Sequence, residues 1–165
     1  MSIILLILCV ALAMIIHELG HFVMARKCRV TASEIGFGLG PILFCVKIRD
    51  VRFSIRIFPV GSFVRLNGTE LEERSTQQQL LVHLGGVILN LAVGLFFYGT
   101  IFGWINLLLA GGNLLPIYQH DGWKCGVVLM RAILRGKSSP IERAFTYSGG
   151  FLSLIIAFVI IRMFI

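Results

Sequence analysis

Apolar residues run almost unbroken over 3–25, dominate 76–102, return at 105 and close the chain over 147–165. Each stretch is long enough to cross the hydrocarbon core as a helix. The third is interrupted: Gly111, Gly112 and Pro116 do not sit comfortably in a continuous helix, so the span over 105–135 is expected to break near 112–120. It resumes at Asp121, runs to about Arg135 and closes at Gly136. Ser75 to Gln78 is a capping box opening the second span, and Thr69 to Glu72 matches the same pattern. Ser139-Pro140-Ile141-Glu142 is a helix start ahead of the fourth span.

Between the first two spans the period changes from helical to two. Phe44, Val46 and Ile48 alternate with Cys45, Lys47 and Arg49; beyond a turn near Asp50, Val51, Phe53, Ile55 and Ile57 alternate with Arg52, Ser54 and Arg56. That is a half-buried hairpin with one apolar and one basic face. Gly36 to Pro41 is too broken for a helix, and Phe63 to Leu66, after Pro59 and Gly61, suggests a further short edge strand or loop. The β-region 30–66 is either a plain cytoplasmic cap or an edge that pairs with an extended substrate. The predicted fold is an α-helical polytopic membrane protein. It has four transmembrane helices, the third broken, and a small membrane-associated β-hairpin region between spans one and two, all in a single domain over 1–165.

Composition agrees: 57% of residues are hydrophobic and 14% charged, against roughly 25% charged in a soluble domain. The net charge of +7 does not mark a nucleic-acid binder. Nine Lys or Arg lie between spans one and two and five between the Asp121 region and span four, while the turn near 99–104 has none. Under the positive-inside rule this places both basic blocks in the cytoplasm and both termini outside. The first span lacks a basic leader, so it is expected to be a retained helix. Cys9, Cys28, Cys45 and Cys125 form no C-x-x-C pair and are expected to be structural.

The chemistry sits in the first span, at His17-Glu18-Leu19-Gly20-His21. His17 and His21 are one helical turn apart, so both imidazoles can reach one metal ion, and Glu18 beside them can take a proton from water on that metal. A catalytic metal needs a third protein ligand. His17 and His21 lie 14 and 18 residues past Ile3, and Asp121 lies 16 past Ile105, so all fall ~21–27 Å from the outer surface at ~1.5 Å per residue. Asp121 is the only carboxylate in the spans besides Glu18, and a lone intramembrane Asp needs a partner. The exchange of roles, with Glu18 as ligand and Asp121 as base, is disfavoured because Glu18 projects ~100° from His17. Asn90 is a buried amide serving either helix packing or the active site, and His83 is structural or interfacial. His120 is a fourth ligand, a donor to a reaction oxyanion, or a loop residue.

These features together resemble the site-2 proteases, zinc metalloproteases of the membrane. The resemblance rests on His17 to His21 in the first span, on Asn113 with Asp121-Gly122 in the third, and on their order and depth, and it covers nearly the whole chain. Gly36 to Pro41 and Phe58 to Arg65 are similar to the membrane-associated β-region of the bacterial regulator-of-sigma-E protease branch, in a minimal form without PDZ domains. Two departures stand out. His120-Asp121-Gly122-Trp123 replaces the usual Leu-Asp-Gly-Gly, and Gly85 to Asn90 lacks the proline of the Gly-Pro-x-x-Asn pattern.

The resemblance implies one Zn2+ per chain held by His17, His21 and Asp121, with Glu18 as catalytic acid/base. Asn113 would hold substrate or the oxyanion, with Asn90 and His120 as further candidates. It implies an intramembrane endopeptidase of a prokaryotic cell membrane, its site facing the cytoplasm within the lipid bilayer. The substrate would be a single-span membrane protein, such as an anti-sigma factor or a signal-peptide remnant. The competing expectation is a non-catalytic metal-binding adaptor or transporter subunit, a role that has no need of Glu18.

Overall fold

The computed structural model describes residues 2–134 and 140–164. The elements are α1 (Ile3–Lys27), β1 (Ala32–Ile48), β2 (Val51–Leu66), α2 (Gly68–Glu72), α3 (Thr76–Phe96), α4 (Ile101–Leu114), α5 (Asp121–Ile133) and α6 (Pro140–Phe164). The protein is mostly helical with one small sheet. Among the described residues, α1 and α3 are long and apolar enough to cross a membrane, and α4 is apolar but shorter. The chain divides into two compact units, 1–112 and 113–165.

In the first unit, Ser2 caps α1 by accepting from the Leu5 amide, and Arg26 and Lys27 sit in the last turn, where the helix dipole favours cations. The predicted capping box opens α3, with Ser75 and Gln78 each bonding the other's backbone. The box expected at Thr69 to Glu72 is displaced: Asn67 caps α2 and accepts from the Glu70 amide. Glu70 is turned instead to Thr31, accepting from its backbone N–H at 2.7 Å and its hydroxyl at 3.1 Å. This ties α2 to the entry of β1 and holds the Glu70 carboxyl below its usual range, chiefly through the Thr31 amide. Ala25, Cys28, Val30, Leu71 and Val82 pack into one cluster where α1, the sheet entry, α2 and α3 meet.

The predicted hairpin is the far half of a longer one. Phe44 to Ile48 pair with Val51 to Ile55, in register Lys47 with Arg52 and Val46 with Phe53. The stretch around Gly36 to Pro41 continues β1, and Phe63 to Leu66 belongs to β2, with Gly36 opposite Phe63 and Phe37 opposite Ser62. Gly38 and Gly40 have φ of 93° and 87°, conformations L side chains rarely adopt, and they let β1 bend. That bend lets Glu34 to Phe37 also pair with Arg52 to Ile55.

The break in the third apolar stretch lies at 115–120, between α4 and α5, with Gln119 at φ 71°. In the second unit, Arg131 makes two bonds to Glu142 Oε1, at 2.7 and 3.0 Å, joining α5 to α6. Gly126 leaves room for the Phe145 ring. The helix stop at Gly136 and the start at Ser139 lie outside the described residues.

Candidate metal centre

α1 and α3 touch backbone to backbone at Gly20 and Gly85, where a methyl on either glycine would overlap the other helix. This closeness brings three buried polar side chains together. His17 and His21 turn their Nε2 atoms toward each other at 3.1 Å, with the rings edge to face. Two nitrogens on one tetrahedral zinc at 2.0–2.1 Å would stand ~3.3 Å apart, so the pair already has the spacing of a two-point ligand set. Their outer nitrogens are both engaged from α3. His21 Nδ1 lies 2.9 Å from the Val82 carbonyl. A carbonyl only accepts, so Nδ1 carries the proton and Nε2 keeps its lone pair. Asn90, fully buried, lies 3.4 Å from His17 Nδ1 through its amide nitrogen, while its Oδ1 has no partner among the described residues. Gly86 lies beneath both rings; a methyl there would stand 2.6 Å from His17 Cε1 and 2.6 Å from His21 Nε2.

Glu18 points away from this pair, as the helical spacing predicts. Its Oε1 accepts from the Ser62 hydroxyl at 3.3 Å, and that hydroxyl also lies 3.3 Å from the Met14 carbonyl. β2 thus reaches the carboxylate from the sheet side. A cavity of about 280 Å³ opens there, lined by Ile15 and Glu18 of α1 and by Phe37, Phe44, Phe53 and Ser62 of the sheet. A carboxylate therefore borders an apolar hollow large enough for a bulky side chain.

Beneath this wall the sheet buries Glu34. It accepts from Ser54 at 2.7 Å and pairs with Arg56 and Arg65, each at 3.3 Å. The Ser54 hydroxyl first, with the two guanidiniums, holds the Glu34 carboxyl below its ordinary value despite burial. Arg56 stacks over Phe63 at 5.0 Å, and Phe63 fits only because Gly36 has no side chain.

In the second unit Asp121 opens α5 and is 2% exposed, with Lys124 Nζ 3.1 Å from its Oδ1. His120 is the N-cap residue but makes no side-chain cap bond. Gly122 presses on the Leu114 carbonyl, and Trp123 packs edge to face on Tyr118 at 4.9 Å. These contacts fix the turn from which Asp121 projects. Asn113 lies at the end of α4 and is half-buried.

Thus the structure joins His17, His21 and Asn90, and separately orders the turn at Asp121. Gly86, Val82 and Ser62 were not expected at the site. Gly86 had a signal, standing four residues before Asn90; a backbone carbonyl and a sheet serine had none.

The family model of peptidase family M50 matches residues 5–103. A Clostridium perfringens protein named "Putative zinc metalloprotease" is 32% identical over 106 residues, covering 59% of this chain and 32% of the relative. A Helicobacter pylori protein of the same printed name is 30% identical over 125 residues, 66% of this chain and 36% of the relative. Zinc metalloprotease RasP of Shouchella clausii is 38% identical over 58 residues, 35% of this chain and 14% of that protein. The matched part thus spans about a third or less of each relative's length.

Proposed function

The chain belongs to peptidase family M50, and on that footing we propose that it is a membrane-embedded zinc endopeptidase that cleaves membrane-protein segments within or beside the bilayer. The observation that carries this reading is the pair of buried imidazoles with Nε2 atoms 3.1 Å apart, with Glu18 between them in sequence and at the wall of an apolar cavity. The residues that would hold zinc, one ion per chain, are His17, His21 and Asp121. A buried Asp at a helix start and two buried histidines form a donor set suited to Zn2+. When bound, the ion supplies Lewis acidity, making water more acidic and polarising a carbonyl.

The remaining chemistry belongs to the chain. Glu18 takes a proton from the attacking water and returns it to the leaving amine. Ser62 holds the Glu18 carboxylate toward the sheet. Asn113 and His120 are candidate donors to the oxyanion or to the substrate backbone. The cavity beside Glu18 accepts an apolar side chain, and the sheet holds the unwound segment extended by strand addition. The substrate is a single-span membrane protein, with an anti-sigma factor or a signal-peptide remnant as its class. The topology that suits this reading has four crossings within one domain, both termini outside, and the site open toward the cytoplasm of a prokaryotic cell.

The test is cleavage of a panel of single-span substrates by protein reconstituted in lipid, wild type against Glu18→Gln. Wild type should cut at least one substrate, and Glu18→Gln should lose about 10²–10⁴-fold in rate while keeping one zinc per chain. If zinc is bound and wild type cuts nothing, or if Glu18→Gln cuts equally well, the reading fails in favour of a metal-binding adaptor or transporter subunit.

A further inference from the structure

Asn90 stands apart from the proposed reaction: it is fully buried, lies against His17 rather than Glu18, and carries an amide oxygen with no partner among the described residues. Its place in α3 explains why. Val82 and Asn90 lie eight residues apart with Gly86 midway, so they stand about 12 Å apart along the axis. His17 and His21 are only one turn apart on α1. The two rings therefore converge at Nε2 over Gly86 and diverge at Nδ1, one toward Val82 and one toward Asn90. His21 is settled by the Val82 carbonyl, which requires Nδ1–H and leaves Nε2 as a lone pair. His17 is settled by whichever end of the Asn90 amide faces it.

If the amide nitrogen donates to His17 Nδ1, the His17 proton sits on Nε2 and points at His21, and only one lone pair is offered. If the amide oxygen faces His17, it accepts from Nδ1–H, and both Nε2 lone pairs face one point. The two ends of an amide exchange by a half-turn of the side chain, and the 3.4 Å contact made by the nitrogen is long for a hydrogen bond. We infer that Asn90 is a positioning residue for metal binding: its Oδ1 accepts from His17 Nδ1–H and fixes the tautomer in which His17 Nε2 is a ligand. It is the side-chain counterpart of the Val82 carbonyl on His21, and it takes no part in oxyanion binding. The inference rests on the proposed zinc site and adds the group that selects the His17 ligand atom.

The test uses the 165-residue chain in detergent micelles with zinc alone as probe. Affinity is measured by competition with a chromophoric chelator, and the ¹⁵N shifts of the His17 ring are read in ¹⁵N-histidine-labelled protein. Asn90→Asp keeps an acceptor facing Nδ1; Asn90→Leu removes it at similar size. Asn90→Leu should weaken zinc about 10–100-fold and lose the Nδ1–H signature of His17. Asn90→Asp should stay within a few-fold of wild type and retain that signature. Wild-type affinity in Asn90→Leu, an unchanged His17 tautomer, or an equal loss in Asn90→Asp would overturn the inference. If wild type binds no zinc, both this inference and the proposed function fail. If wild type binds zinc and follows this pattern but cuts nothing, only the proposed function fails.

Discussion

Two regions of the first unit hide polar groups, and they do so for different ends. Between α1 and α3 the hidden groups are His17, His21 and Asn90, packed over Gly86, with their nitrogens directed at one another and at a backbone carbonyl. In the sheet the hidden group is Glu34, closed off by Ser54, Arg56 and Arg65. The first cluster sets two imidazole nitrogens side by side, 3.1 Å apart, with their outer nitrogens held from α3. In the second, one carboxylate is enclosed by a hydroxyl and two guanidiniums. The sheet also exposes large apolar side chains: Leu43 is 72% exposed and Phe58 60%. Large exposed apolar patches mark contact with lipid or with another chain. The helix pair thus gathers nitrogens at one point, and the sheet encloses its charge while showing apolar side chains outward.

The largest effect should come from filling the space under the histidines. Gly86→Val places a branched side chain where a single methyl already stands 2.6 Å from both rings. The helices cannot separate to relieve it without undoing the Gly20–Gly85 contact. We expect zinc affinity to fall about 100-fold or more, equivalent to about 3 kcal/mol of overpacking, with the sheet unaffected in limited proteolysis. If Gly86→Val binds zinc normally, the nitrogens of the helix pair do not owe their place to the space at Gly86.

This contrast also shows what the sequence could reveal. The shared face of His17 and His21 follows from helical spacing alone, and the hairpin at 44–57 follows from strict alternation, because both are local. The break before Asp121 was legible from Pro116, which opposes a continuous helix, but not from Gly111 and Gly112, which lie within α4. The long sheet was not legible. Gly36 to Pro41 carries no alternation, and it joins β1 only because Gly38 and Gly40 take positive φ while Phe63 closes over Gly36. The burial of Glu34 carried no local signal, because its partners are 20 and more positions away. Asn67, not Thr69, caps α2 because Glu70 is drawn to Thr31, a contact 39 residues distant in sequence.

A second test removes the charge at the heart of the sheet. Glu34→Leu leaves Arg56, largely buried, and Arg65 without their carboxylate. Uncompensated partners of this kind cost about 2–3 kcal/mol where they are partly screened. The expected result is a lower Tm and proteolytic nicking within 32–66, with zinc binding by the helix pair retained. Equal loss of zinc would show that the two regions fold as one and would dissolve the distinction.

Acid probes the same cluster more gently. Glu34 has a carboxyl held below its ordinary value of 4.5, so the folded state binds its proton less readily than the unfolded chain. Its contribution is complete above the unfolded value and is lost as pH falls through the lower folded one. The sheet should therefore lose proteolytic protection on acidification below the ordinary carboxylate range. Glu34→Gln should flatten that dependence. A profile unchanged in Glu34→Gln would assign the acid sensitivity to another group.

The smallest effect should lie where the two regions meet, at Ser62. Its hydroxyl has one proton and two acceptors, Glu18 Oε1 and the Met14 carbonyl, both at 3.3 Å. A hydrogen bond of this kind contributes about 0.5–1.5 kcal/mol, and a shared, long one belongs at the low end. Ser62→Ala should accordingly lower kcat about two- to five-fold while leaving zinc affinity and Tm near wild type, because Ser62 touches neither histidine. Ser62→Thr, which keeps the hydroxyl, should restore most of the rate. A loss of zinc in Ser62→Ala would mean that the sheet helps hold the metal rather than the base. An unchanged kcat would mean that the sheet reaches Glu18 without orienting it, leaving the helix pair to position the carboxylate alone.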